Sequence, residues 1–463
     1  MSPFSRLAVS SPSVGVCTRA VAALLLALAF LAHAAAAEDR AEQEGWRAVR
    51  VGEVGWVGAR DTLATDAETQ ELVRGMTHLS VWSAEHPRGY WILYYPSPSG
   101  ATKEQWVALA GAHLEAGTGP PSVSNVEIER FGPRHDASAT AEKTWPISLA
   151  AAMSFDKARA MAWYVHPYRR ALVQYDVLTR VRRDHPLPRI GAFLQPRGQE
   201  PLDRMRAAVQ PEASGTRVDI AVAGAGIGAD ESLTYVSFAL RERNWSSARI
   251  GSGLWPSLFT SRRGVVVVCG PVWGGPLSVY RRVWEDEAAI ANSARPMGHG
   301  EWQRQEVPDS RYDYRESSCA VLDAEGRLHV VHFDVGPRGL WDTHEGPGGW
   351  AEDLIVEVPR GERERAQDRL TPEERGLAER LELVPSAALD RRGELHVAYY
   401  KAERYQVMHA WREGKVWREE PVGHAENAGT VAIVAGDASV LVAWTDLHSG
   451  EVWAALRAGV PKR

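Results

Sequence analysis

One pattern constrains this chain more than any other: the string A-x-L-D-x-x-G-x-L-H-V, which occurs from Ala320 to Val330 and again from Ala387 to Val397. Each copy places an apolar run on either side of an Asp-x-x-Gly turn, the arrangement of an antiparallel hairpin. A weaker copy spans 255–268. A third apolar run follows the hairpins, at 277–280, 340–341, 407–411 and 452–456. A fourth run begins with Trp and reaches Val or Ile five residues later, at Trp245/Ile250, Trp302/Val307, Trp350/Ile355 and Trp417/Val422. Four short strands in fixed order, repeated every ~50 residues, predict an all-β chain folded as a β-propeller of four-stranded blades.

Units at 76–132, 145–190, 203–252, 254–308, 317–357 and 384–422 precede a last one at 430–459, which ends after three runs. The missing fourth strand sits at the other end of the chain, where Trp46 and Val51 have the same spacing. Seven blades are therefore expected, closed by an N-terminal strand at 45–52. The eroded first two units leave six or eight as alternatives. Closure removes sheet edges that would otherwise template association. A Trp recurring at one register fills the space between blades, and this packing role accounts for many of the 18 Trp.

Residues 1–37 read as a signal peptide. Arg6 and Arg19 precede the apolar run 20–31, and small residues from Ala34 to Ala37 supply the cleavage site. The remaining 38–463 are then a single propeller domain, secreted or periplasmic. No later run is long enough to span a bilayer, so no membrane span is expected. Residues 360–382 contain Thr371-Pro372-Glu373-Glu374, a helix start with Pro at the first helical position, and predict a helical surface insertion. Residues 285–300 form a second insertion. Cys269 and Cys319 fall in neighbouring repeats; they pair only if their Cα atoms lie within about 7 Å, and are otherwise two buried thiols.

With 53 Lys+Arg against 59 Asp+Glu the net charge is −6, which argues against a nucleic-acid partner. No H-E-x-x-H, paired C-x-x-C or EF-hand string occurs, nor any G-x-S-x-G or G-x-G-x-x-G. No cofactor is expected, and the chain is expected to be a monomer. His329 and His396 invite a reading as metal ligands, but they occupy one repeat position. That assigns them a structural job at the start of the second strand, and no metal site is expected.

The two hairpins, followed by strands opening on Trp, resemble the repeats of secreted bacterial propellers of the sialidase-like (Asp-box-like) group. The likeness is close over 317–459 and loose elsewhere. It implies a propeller in an extracytoplasmic setting. A sialidase box of the form S-x-D-x-G-x-T-W is absent, so the resemblance does not bring hydrolase activity with it.

Candidate binding residues lie at the ends of the second strands. His332, Asp334, Tyr399, Tyr400, Trp444 and Asp446 occupy matching positions in the three best-matched blades. In a propeller these ends share a face with the interblade connections, so the six could ring the mouth of the central channel. Aromatics beside carboxylates there suit a glycan or a protein or peptide ligand. The alternative is that strand-end aromatics pack between blades. The function expected is a non-catalytic ligand-binding or scaffold module. The alternative is a carbohydrate-active enzyme, a glycoside hydrolase or lyase, working at the channel mouth through a carboxylate pair such as Asp334 and Asp446.

Overall fold

The Asp-x-x-Gly strings fold as the pattern requires. Asp323 Oδ1 accepts the backbone N–H of Arg327 at 2.7 Å, and Asp390 Oδ1 accepts those of Arg392 and Glu394 at 2.8 and 2.9 Å. Gly326 and Gly393 take φ of +78° and +79°, a left-handed turn conformation that favours glycine. Each turn joins two strands whose alternate residues face opposite neighbours.

The computed structural model describes residues 45–53, 79–84, 89–94, 108–115, 121–130, 154–156, 159–166, 171–188, 206–211, 216–223, 232–261, 264–270, 276–283, 302–308, 318–334, 339–357, 385–401, 404–426, 428–436, 439–446 and 449–458. They form 28 strands in seven four-stranded antiparallel sheets. Strand β1 is Trp46–Glu53. Blade 1 comprises β2 (Leu79–Ala84), β3 (Gly89–Tyr94), β4 (Ala108–Glu115) and β5 (Ser122–Arg130). Blade 2 comprises β6 (Ser154–Asp156), β7 (Met161–His166), β8 (Ala171–Asp176) and β9 (Arg182–Pro186). Blade 3 comprises β10 (Arg206–Pro211), β11 (Arg217–Ala223), β12 (Ser232–Ala239) and β13 (Asn244–Ser252). Blade 4 comprises β14 (Leu254–Ser261), β15 (Gly264–Gly270), β16 (Ser278–Val283) and β17 (Trp302–Glu306). Blade 5 comprises β18 (Ser318–Leu322), β19 (Leu328–Asp334), β20 (Gly339–Gly346) and β21 (Gly349–Glu357). Blade 6 comprises β22 (Ser386–Leu389), β23 (Leu395–Lys401), β24 (Gln406–Glu413) and β25 (Val416–His424). Blade 7 comprises β26 (Ala428–Ala435), β27 (Ser439–Asp446) and β28 (Glu451–Ala458), and its fourth strand is β1.

The chain is thus a seven-bladed β-propeller. Its ring closes through β1, which pairs with β28 from Trp46↔Arg457 to Glu53↔Glu451. From blade 2 round to blade 1 the first strands of successive blades touch one another, so they form the inner layer. The expected signal peptide at 1–37 and the helical insertion at 360–382 lie outside the described residues. Among the described residues no helix is long and apolar enough to cross a membrane.

The core is divided among the blade interfaces. Each fourth-strand Trp packs towards the preceding blade: Trp245, Trp302, Trp350 and Trp417 do so in succession, and Trp46 does the same against blade 6. Trp417→Ala should therefore destabilise the ring by about 2–3 kcal/mol, less than a fully buried Trp would. Denaturant unfolding would show this as a lower midpoint at unchanged slope; an unmoved midpoint would contradict the packing role. Cys269 and Cys319 are free thiols in two different interfaces. Burial pushes the Cys269 thiol up to about 12 and raises Cys319 as well, so neither is a reactive thiolate.

An interblade cleft as candidate functional site

The second-strand ends are filled with packing and hydrogen bonds. His332 is 1% exposed, and its Nε2 lies 2.7 Å from Thr343 Oγ1, which donates on to Glu352. Tyr399 is buried between blades 5 and 6 and donates its hydroxyl to Glu419. Tyr400 lies in the next interface and donates to the carbonyls of Ala425 and Glu426 at 3.0 and 2.9 Å. Trp444, also in that interface, rests its ring on Gly423, where an added Cβ would come within 2.5 Å of Cη2. Asp446 is 8% exposed and accepts the Ser449 hydroxyl at 3.2 Å. The side chain of Asp334 lies outside the described residues. The five described side chains thus share one end of their blades but are distributed over three faces and a turn, His332 lying on the Val330 face of β19.

The chemistry gathers at the opposite end, where the first-to-second and third-to-fourth strand turns lie. Between blades 2 and 3 there is a cleft of about 310 Å³. Blade 2 contributes Asp156, Arg159, Met161, Trp163, Gln174, Arg183 and His185; blade 3 contributes Pro211, Arg217, Val218, Leu240 and Arg243. The blade 2 set follows from strand periodicity. Trp163, Gln174 and Arg183 are direct cross-strand partners on β7, β8 and β9, so they form one row across the sheet. His185 follows Arg183 by two residues and shares its face.

Aromatic rings form the cleft's floor and shoulder. His185 stacks 6.2 Å from Trp163 and lies tilted, 4.9 Å away, against Phe238, which in turn stacks 4.3 Å from Trp245. Trp163 is 3% exposed, yet its Nε1 has no hydrogen-bond partner, and the same holds for His185 Nε2. Leaving a buried polar group unpartnered costs about 1–3 kcal/mol, and the packing residues Trp302, Trp417 and Trp444 carry the same unpartnered Nε1. The Gln174 amide reaches only the Met161 sulfur, at 2.7 Å.

The rim is cationic. Arg159 pairs with Asp156 at 2.8 Å, and Arg217 with the fully buried Asp219 at 3.1 Å. Arg183 and Arg243 make no ion pair among the described residues. Both press on His185, whose imidazole is held below its ordinary value by burial first, then by Arg243 and Arg183. Arg243 also has a left-handed φ of +52°, an unfavourable conformation for a residue with a Cβ and one often stored at binding sites.

Little in the amino-acid pattern announces this site. Blade 2 has the weakest repeat pattern, and its fourth strand carries Arg182 and His185 where a Trp would open the strand. A run of basic residues, Arg180-Val181-Arg182-Arg183, at that break was the available signal.

No protein-family model matches the sequence, and no curated protein matches it. Among solved structures the chain is similar to TolB from Acinetobacter baumannii (11% identity, TM-score 0.37), with 80% of this chain aligned and 64% of TolB's length spanned. It is also similar to the β-propeller domain of the Trilobed protease from Pyrococcus furiosus, at 10% identity and TM-score 0.42, covering 79% and 89% of the two chains. A third similar structure is the Cps50 (Swd1) β-propeller domain from Myceliophteria thermophila, at 10% identity and TM-score 0.34, covering 82% and 96%. With TM-scores below 0.5, these likenesses give no ground for transferring an activity, ligand or partner.

Proposed function

We propose that this propeller is a secreted or periplasmic binding module, without catalysis of its own, that takes a small anionic ligand in the cleft between blades 2 and 3. The observation that carries this reading is a cleft lined by Trp163 and His185 and rimmed by Arg183 and Arg243, which make no ion pair among the described residues. Two guanidinium forks suit a carboxylate or phosphate. The indole N–H adds a neutral donor, and Met161, Val218 and Leu240 supply apolar contact. A sugar acid or an acidic dipeptide has the matching size and character. This extends to a charged ligand the glycan or peptide class that the repeats suggest, and it agrees with the extracytoplasmic setting implied by the sialidase-like resemblance. The lining holds one carboxylate, Asp156, already paired with Arg159, whereas glycoside hydrolysis uses two.

Binding should be tested on the mature protein with an array of acidic glycans and peptides, followed by calorimetry on the best binder. Arg183→Gln and Arg243→Gln are each expected to weaken binding by about 10–100-fold, the loss of a charge-assisted hydrogen bond. Affinity should also rise as pH falls from 7 to 5. An anion beside His185 offsets the two arginines and raises its pKa, so the complex takes up a proton. Neutral ligands outcompeting acidic ones, or arginine variants that bind undiminished, would refute the reading.

A further inference from the structure

Two other clusters place histidines and carboxylates together, and the same repeat positions supply both. In blade 6, His396 Nδ1 lies 2.9 Å from His409 Nε2, and His409 Nδ1 lies 2.9 Å from Glu420 Oε1. With both imidazoles neutral, these contacts run head to tail as a chain of hydrogen bonds. Trp46 and Arg457 complete the shell of Glu420. Only His396 Nε2, at the head of the chain, is buried without a partner, on the side facing the turn. The nearby Asp390 and Glu394 belong to the turn, where Arg392 pairs with both.

Blade 5 is built differently at the same register. Strand β20 carries Asp342-Thr343-His344, and period 2 puts Asp342 and His344 on one face. His329 of β19 is the direct cross-strand partner of His344, and Asp353 of β21 that of Asp342. The two imidazole rings stack 5.2 Å apart at 18°, and both turn Nδ1 towards one carboxylate. His329 Nδ1 is 3.1 Å from Asp342 Oδ2, and His344 Nδ1 is 3.3 Å from the same oxygen. His344 Nδ1 is also 3.8 Å from Asp353 Oδ2. His329 Nδ1 is in hydrogen-bond contact with both Asp342 oxygens, at 3.2 and 3.1 Å, whereas His344 Nδ1, buried and nearly as close, does not meet them in hydrogen-bond geometry. The donor atoms of His329, Asp342 and His344 all lie within 4.8 Å of one another.

That convergence has the dimensions of a coordination shell. Metal–ligand distances of about 2.0–2.1 Å in a tetrahedron place neighbouring ligand atoms about 3.3 Å apart. We propose that His329, Asp342 and His344 bind a divalent transition cation of the zinc type, with the fourth position left to water. Imidazole nitrogens with carboxylate oxygens suit such an ion better than calcium or magnesium, which prefer all-oxygen shells. Asp353 pairs instead with Arg412 of blade 6, 2.8 Å from its Oδ2. The ion would clip β19 to β20.

The test uses the folded mature protein, stripped with chelator and titrated with Co²⁺ and Zn²⁺ alone. One equivalent of Co²⁺ should bind and give the intense visible absorption of a four-coordinate site, and Zn²⁺ should displace it and raise the melting temperature. His344→Gln should lower affinity at least about 100-fold, the upper end of what loss of a mere supporting partner costs. His329→Gln, at a partly exposed position, repeats the test should the first variant misfold. Absence of saturable uptake by the wild-type protein would overturn the proposal. So would stoichiometric binding that both variants retain, since the ion would then sit elsewhere.

Discussion

Deleting residues 38–53 will open the ring, with a fall in melting temperature of about 10 °C or more and the onset of aggregation. The expectation rests on where β1 reaches. Trp46 and Val51 are 1% and 3% exposed, and they enter different interfaces, Trp46 the one with blade 6 and Val51 the one with blade 1. Trp46 Nε1 also donates to the buried Glu420 at 3.1 Å. Truncating a buried Trp costs about 3–5 kcal/mol by itself, and total stability is only about 5–15 kcal/mol. Without β1, the edge of β28 is left as an unpaired row of backbone groups. The surface ion pair of Arg50 with Glu451 adds little. Circular dichroism melts with light scattering would read the effect, and adding the excised strand as a peptide should restore part of the melting temperature. A truncated protein that melts like the full chain and stays monodisperse would show that β1 does not hold the ring shut.

The second large effect is acid sensitivity above the range where carboxylates titrate. His396 and His409 are both 1% exposed. Burial pushes His396 down to about 3, with His409 adding to the effect, and pushes His409 down to about 3, with Arg457 adding to it. Asp390 and Glu420 oppose the shift at His396 only in part. In the unfolded chain both titrate near 6.5. The unfolded state therefore binds more protons between pH 6.5 and 3, so stability is present above 6.5 and is lost as pH falls. Each histidine contributes about 1–2 kcal/mol of loss by pH 5, so the pair removes about 2–4 kcal/mol. Unfolding free energy measured from pH 7.5 to 5 should fall steadily below 6.5. A flat profile over that interval would mean the two imidazoles are accessible to protons in the native ring.

Much of the architecture was legible because propeller signals are local and repeated. An Asp-x-x-Gly turn makes its own hydrogen bonds whatever surrounds it, as Asp323 and Asp390 show. Strand alternation fixes which residues face a neighbour, and the Trp-to-Val spacing marks the outer strand that seals each interface. The unfinished last unit and the matching spacing at Trp46 were sufficient to predict closure, which the pairing of β1 with β28 displays. The channel-mouth ring was argued from the same periodicity. Repetition shows that residues are equivalent, but not whether a side chain stands open or is wedged against the next blade. Tyr400 and Trp444 lie packed in the interface between blades 6 and 7.

The amino-acid sequence alone determined the all-β class, the four-strand unit and the strand that closes the ring; it favoured seven blades over six or eight, and the structure has seven. All of these follow from short-range turn chemistry and from a packing requirement that recurs in every interface. Tertiary structure alone decided where unlike residues from different strands meet. His185 reaches Trp163 only through the stacking of β7 to β9, and Arg243 faces them only because blade 3 docks there. Asp342 meets His329 only through the pairing of β19 with β20. Such residues have no counterpart of the same type in most blades, so periodicity is silent about them. The repeat encodes what every interface needs, and the two sites occur where one interface departs from the others.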